Sequence, residues 1–164
     1  MTISVGDRIP ELPITIATSD GPQPTTTSEF FRGKRVALFA VPGAFTPTCS
    51  VKHLPSFVAK ASELKAAGID EIACTAVNDA FVLSAWNKEQ GSRDITMLAD
   101  GSGDFARALG LAADFRKHGM GERSQRYAMI VNDGEVEQVN VEEAGAYQVS
   151  SAEHMLEQLR TPVS

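Results

Sequence analysis

The residues best placed to do chemistry lie between positions 41 and 54, "VPGAFTPTCSVKHL", where Cys49 follows Thr46 by three residues and Pro42 by seven. Proline is favoured at the first helical position, so Pro47 marks a helix start. Thr46 then falls at the N-cap, where its hydroxyl can accept a backbone N–H, and Cys49 falls in the first turn. Unpaired N–H groups and the helix dipole favour an anion there. The reactive form of cysteine is the thiolate. Most cysteines are small buried apolar residues, but a core cysteine has no need of a Thr–Pro helix start just upstream. A dithiol of the C-x-x-C type is missing, because Thr46 occupies the first cysteine's place. His53 stands four residues after Cys49 on the same helical face, where it could steer the thiolate or bind a partner; a place at a pocket rim or an interface is expected. A cysteine–histidine hydrolase would need a third group to orient its base, and none is evident. His118 and His154 are isolated and expected to be exposed. Two cysteines and three scattered histidines give no zinc spacing, so no metal or cofactor is expected.

These side chains need a scaffold. Residues 35–41, "RVALFAV", and 71–78, "EIACTAVN", are short apolar runs of the kind seen in strands buried on both faces. Between them, Val51, Leu54, Phe57, Val58, Ala61 and Leu64 recur at helical spacing. Pro55 should kink that helix and Gly68 should stop it. Strand, helix and strand form a right-handed crossover of a parallel sheet. Cys49 thus sits at the carboxyl end of a buried strand, where open α/β sheets place their sites. A helix over "DAFVLSAWNKE", a strand at "TMLAD" and a short helix at "GDFARALG" follow. "RYAMIVNDGEVEQVNVEE" is a hairpin turning at Asn132, Asp133 and Gly134. The last helix spans 151–160, with Ser150 and Glu153 as a capping box. Residues 17–34 form a surface connection. Trp86, Phe81, Val82 and Ala85 suit core packing or an interface. Asp100, Gly101, Gly103 and Asp104 suit a turn into a helix rather than a calcium loop. The order of elements suits an α/β, thioredoxin-like core with a mixed sheet flanked by helices and an N-terminal extension.

At 164 residues the chain fits one domain, 1–164. A net charge of −6 and a pI near 5.0 argue against nucleic acid or an anionic membrane as partner. The opening residues lack the pattern of a secretory signal, and Asp7 and Glu11 speak against a transit peptide. With too few cysteines for a disulfide scaffold, a reducing compartment, most simply the cytoplasm, is expected.

"PGAFTPTC" fits the P-x-x-x-T-x-x-C pattern, as Pro42, Thr46 and Cys49. It resembles the peroxidatic motif of the peroxiredoxins, and the fuller "VPGAFTPTCSVKHLPSF" resembles their Prx5, or type II, branch. The likeness continues in "VNDAFVLSAW", "RYAMIVNDGEV" and "VSSAEHMLEQL". It implies a thiol peroxidase reducing hydrogen peroxide and small alkyl hydroperoxides, in which Cys49 becomes a sulfenic acid. Thr46 would hold peroxide and thiolate, Pro42 would shield the thiolate, and Arg126 would supply fixed positive charge. Arg123 competes for that last role, but is expected to be a solvated loop charge. Cys74 has two readings: a buried strand thiol that does not react, or a resolving cysteine forming a disulfide with Cys49. The first is favoured, because a rigid strand would have to open locally and no cysteine follows Cys74. The resemblance then implies an external reductant, glutathione with glutaredoxin or, second, thioredoxin. It also implies a homodimer packing through loops near the active site, with Phe45 exposed at the pocket mouth. A non-enzymatic peroxide sensor or relay using the same cysteine is the alternative.

Overall fold

Strand β3 (Arg35–Ala40) is buried from Val36 onward. Its side chains alternate between two cores, Val36, Leu38 and Ala40 on one face and Ala37 and Phe39 on the other, as the period of two in a strand requires. The structure, a computed structural model, describes residues 2–160. β3 lies inside a seven-stranded sheet of order β2-β1-β5-β4-β3-β8-β9. The other strands are β1 (Pro13–Thr18), β2 (Gly21–Thr26), β4 (Glu71–Ala76), β5 (Ile95–Ala99), β8 (Tyr127–Asn132) and β9 (Glu135–Val141). β3, β4 and β5 run parallel; β1 and β2 at one side and β8 and β9 at the other are antiparallel. A small separate ribbon joins β6 (Ala112–Asp114) to β7 (Glu122–Ser124). This is the mixed, helix-flanked sheet that the sequence led us to expect.

One core packs α2 (Leu54–Ala59), α3 (Ala61–Ala66), α4 (Ala80–Gln90) and α6 (Ala152–Arg160) on the face that carries Phe39, Cys74 and Met97. The other packs α1 (Thr27–Phe31) and α5 (Asp104–Leu109) on the face of Leu38, Leu98 and Met129. Trp86 is fully buried in the first, whereas Phe81 is exposed. Asp100 accepts the N–H groups of Phe105 and Ala106 at 2.9 Å each, capping α5 in the expected turn. The hairpin turn also falls where expected: Asp133 and Gly134 have φ of 48° and 84°, the positive pair of a tight two-residue turn.

Two readings of the sequence require correction. Residues 17–34 are not a surface connection but contain the end of β1, all of β2 and α1. Pro22 and Pro24 hid the strand. Among the described residues β2 is an edge that pairs with β1 alone, so the N–H groups those two residues lack would have faced away from its partner. Ser150 does not cap α6 either. Ser151 does, accepting the His154 N–H at 3.1 Å, because the helix begins at Ala152, which puts Ser151 at the N-cap, while the Ser150 hydroxyl is turned to Glu142 at 2.7 Å.

Candidate active site

The chain leaves β3 through a short loop held at both ends. Val41 N–H donates to Thr75 O at 3.1 Å, and Ala44 N–H to Asn78 Oδ1 at 2.9 Å. Phe45 takes φ of 67°, a left-handed backbone that costs a non-glycine residue about 1–2 kcal/mol, and it is exposed as expected. Helical geometry starts at Pro47, and Ser50 N–H donates to Thr46 O at 2.9 Å. The next turn, Cys49–His53, is a π-turn closed by Leu54 N–H on Cys49 O. Pro55 has no N–H to return to Val51 O and its ring crowds that carbonyl, so the expected irregularity takes this form. A second break, at Lys60 (φ −104°, ψ 10°), separates α2 from α3.

Cys49 is fully buried, and two donors converge on its sulfur: Thr46 Oγ1 at 2.8 Å and Arg126 Nη2 at 3.2 Å. Arg126 reaches it from the residue before β8, the antiparallel neighbour of β3. The expected side-chain cap from Thr46 is absent. Its hydroxyl is turned instead to Gly43 O, at 2.7 Å, and to the sulfur. One hydroxyl proton cannot serve both acceptors. With a thiol, S–H donates to Oγ1 and the hydroxyl donates to Gly43 O; with a thiolate, the hydroxyl proton is free to turn to sulfur.

His53 is not at a rim. It is fully buried, with its ring against Phe39, Phe57 and Tyr147. Arg126 Nη1 donates to its Nδ1 at 2.9 Å, since a guanidinium can only donate. The remaining proton is therefore on Nε2, 2.9 Å from Ser150 O. Burial, and then the Arg126 charge, lower the His53 pKa to about 3 against a weaker opposing bond to Ser150, so the ring is neutral. Ser150 belongs to a segment gathered on Glu142. That carboxylate accepts the N–H groups of Gln148, Val149 and Ser150 and the Ser150 hydroxyl, at 2.7–2.8 Å. Burial pushes its pKa up, but these four donors together hold it below the usual carboxylate range. The segment also grips the π-turn directly, through Tyr147 Oη on Lys52 O at 3.3 Å. Glu142 and Tyr147 carried no sequence signal, and Ser150 was legible only as a candidate cap for the last helix. His53 did, through its spacing from Cys49, but its burial and its arginine partner depend on β8.

Cys74 lies on β4, fully buried, with a free thiol in the same core as Cys49. Burial and the neighbouring Cys49 sulfur push its pKa well up, against a smaller pull from Arg126. Arg123 is not a solvated loop charge: it is half-buried and donates to Met120 O at 2.9 Å and Pro42 O at 3.4 Å. It thereby ties the β6–β7 ribbon to the loop before Cys49. Of the other histidines, His118 is exposed, as expected, and His154 is half-buried. A cleft of about 400 Å³ reaches this site, with Pro42, Thr46 and Arg126 in its wall and Phe115, His118 and Met120 on the ribbon side.

The redoxin family model matches residues 4–156. Over 163 residues the chain is 51% identical to Peroxiredoxin-2E, chloroplastic, of Arabidopsis thaliana, covering 96% of this chain and 70% of that one. It superposes on the reduced Prx3 of Vibrio vulnificus in complex with H2O2 with a TM-score of 0.93, at 47% identity and over 97% and 100% of the two chains. Peroxiredoxin 5 of Alvinella pompejana superposes with a TM-score of 0.86, at 34% identity and over 96% and 98%. With a buried cysteine under a threonine and an arginine at the head of a thioredoxin-like sheet, the chain belongs to the peroxiredoxins, in their type II, Prx5-like branch, and is a thiol-dependent peroxidase.

Proposed function

We propose that Cys49 is the peroxidatic residue, that Thr46 and Arg126 stabilise its transition state, and that Pro42 shields the thiolate. The convergence of Thr46 Oγ1 and Arg126 Nη2 on one sulfur carries this reading. The thiolate attacks the terminal oxygen of hydrogen peroxide or a small alkyl hydroperoxide. The S–O bond forms as the O–O bond breaks, and the departing hydroxide or alkoxide takes up a proton. Negative charge spreads along the S–O–O line, within reach of a guanidinium that needs no rearrangement. A more stable thiolate is also a weaker nucleophile, so holding the peroxide in line supplies the rest. Cysteine is oxidised by two electrons, to the sulfenic acid, and the peroxide is reduced to water or alcohol.

An external thiol then attacks the sulfenic sulfur, releasing water and leaving a mixed disulfide that a second thiol clears. Glutathione with glutaredoxin is the reductant we favour, with thioredoxin second. The raised pKa and strand position of Cys74 support leaving it out of resolution. Two free thiols support a reducing compartment such as the cytoplasm, and exposed Phe45 beside the site supports a homodimer formed through these loops. The test is steady turnover of hydrogen peroxide with glutathione and glutaredoxin, followed by mass spectrometry of Cys49. Sustained turnover through a glutathionylated Cys49 supports the reading. A single oxidation that neither glutathione with glutaredoxin nor thioredoxin clears supports the sensor or relay instead, and a Cys49 that stays reduced refutes both.

A further inference from the structure

Arg123 and Arg126 grip opposite ends of the stretch that carries the thiol. Arg126 Nη2 donates to the Cys49 sulfur at 3.2 Å, while Arg123 Nη1 donates to Pro42 O at 3.4 Å. Arg123 is half-buried in β7. Its Nε donates to Met120 O at 2.9 Å, so the rigid fork of the guanidinium joins two carbonyls from separate parts of the chain. Among the described residues it has no acidic partner. Bonds to carbonyls, not an ion pair, hold it in place. Gly43 bears the mark of the same contact. A Cβ there would meet Arg123 Nη1 at 3.0 Å, Met120 Cε at 3.2 Å and Thr46 Cγ2 at 3.3 Å. The φ of Gly43 is not positive, so its backbone does not call for glycine. The close approach of these three side chains does.

The peptide under Arg123 is the one that sets Thr46. Gly43 O accepts the Thr46 hydroxyl at 2.7 Å, and that hydroxyl stands 2.8 Å from the sulfur. The Thr46 methyl packs over the face of Gly43 that has no side chain. Gly43 therefore fixes the Thr46 rotamer by packing as well as by a bond, in either protonation state of the sulfur. We propose that Arg123 is a positioning residue for the peroxidase reaction: it pins the Pro42–Gly43 peptide, and through it places the Thr46 hydroxyl beside Cys49. The proposal rests on Cys49 as the attacking thiol and Thr46 as its donor. Arg126 supplies charge at the sulfur, and Arg123 supplies geometry to the donor beside it. A small displacement of a catalytic donor is costly, because alignment of the reacting atoms carries much of the rate.

The test compares wild type with Arg123→Met, which keeps an apolar stem, and Arg123→Lys, which keeps the charge without the fork. Arg123→Gln replaces the methionine variant if that one does not fold. Cys49 is reacted by stopped flow with hydrogen peroxide. It is reacted separately with iodoacetamide, an electrophile with no O–O bond to align, at a pH where the thiol is fully ionised. The peroxide rate should fall about tenfold in Arg123→Met, the scale of one lost charge-assisted bond, and nearly as far in Arg123→Lys. The alkylation rate should fall in neither. With Thr46→Val already in place, Arg123→Met should cost less than about twofold more, because both changes act through one hydroxyl. An unchanged peroxide rate in either variant, an equal fall in alkylation, or full additivity with Thr46→Val would overturn the proposal while leaving Cys49 as the attacking thiol. A wild type inert toward hydrogen peroxide would remove the Cys49 reading, and the proposal with it.

Discussion

Arg126 divides its two terminal nitrogens between Cys49 and His53: Nη2 donates to the sulfur at 3.2 Å and Nη1 to the imidazole Nδ1 at 2.9 Å. The histidine thus fixes the plane of the guanidinium through a neutral acceptor and leaves its charge undivided for the sulfur. A carboxylate in that place would orient the arginine equally well but cancel part of its field at Cys49.

Thr46→Val removes the hydroxyl and keeps the shape. Sulfenic acid formation should slow by about 10²-fold, the usual loss on removing one transition-state donor. Thr46→Ser should retain most of the rate. Stopped-flow measurement of Cys49 oxidation would check both, and an unimpaired valine variant would show that the 2.8 Å contact has no catalytic role.

His53 makes a signed prediction for stability. Its pKa is about 3 in the fold against 6.5 in the unfolded chain, so the unfolded state binds more protons as pH falls. The contribution of the neutral ring is complete above pH 6.5 and is lost progressively toward pH 3. Between pH 7 and pH 5 wild type should lose about 2 kcal/mol through this group. His53→Gln can accept from Arg126 and donate to Ser150 O, and should lack that component. Urea unfolding at the two pH values reads the difference.

Cys74→Ser should leave peroxidase turnover within about twofold, and cost about 1–3 kcal/mol in stability for placing a hydroxyl without an assured partner in the core. One equivalent of peroxide should give no intramolecular disulfide on a non-reducing gel. A Cys49–Cys74 disulfide, with turnover lost in the variant, would make Cys74 a resolving residue.

Ser151→Ala should cost about 1 kcal/mol, the value of an N-cap. Ser150→Ala removes a hydroxyl donor from a buried carboxylate and should cost about 2 kcal/mol, since bonds to charged acceptors are the stronger ones. Thermal unfolding of the pair would show whether the two serines differ as their partners require.

The sequence was most legible where function rests on local geometry. Pro42, Thr46 and Cys49 lie within eight residues, and the strand before them and the helix after them follow from periodicity alone. Arg126 was legible only through its family resemblance, because strand pairing brings it to the sulfur and spacing says nothing of that. His53 was visible as a neighbour of Cys49 but its burial was not, since Tyr147 and Ser150, which close over it, lie nearly a hundred residues away in the chain. Arg123 read as a loop charge because its acceptors are backbone carbonyls, one of them on the loop before Cys49, and carbonyls leave no mark in a sequence. Strand β2 was missed for a different reason: its prolines are breakers in any strand but an edge.

Those prolines also bear on how copies of the chain can associate. A bare sheet edge is a template for another strand, and this sheet ends in β2 and β9. β2 offers no amide hydrogens at Pro22 and Pro24. The first residues of β9 are already bonded to the chain's own amino-terminal segment, through Gly6 N–H on Val136 O and Val136 N–H on Asp7 O. Continuation of the sheet from one molecule to the next is thus obstructed along β2 and at the start of β9. Any association would then draw mainly on side chains, with backbone pairing disfavoured at those edges.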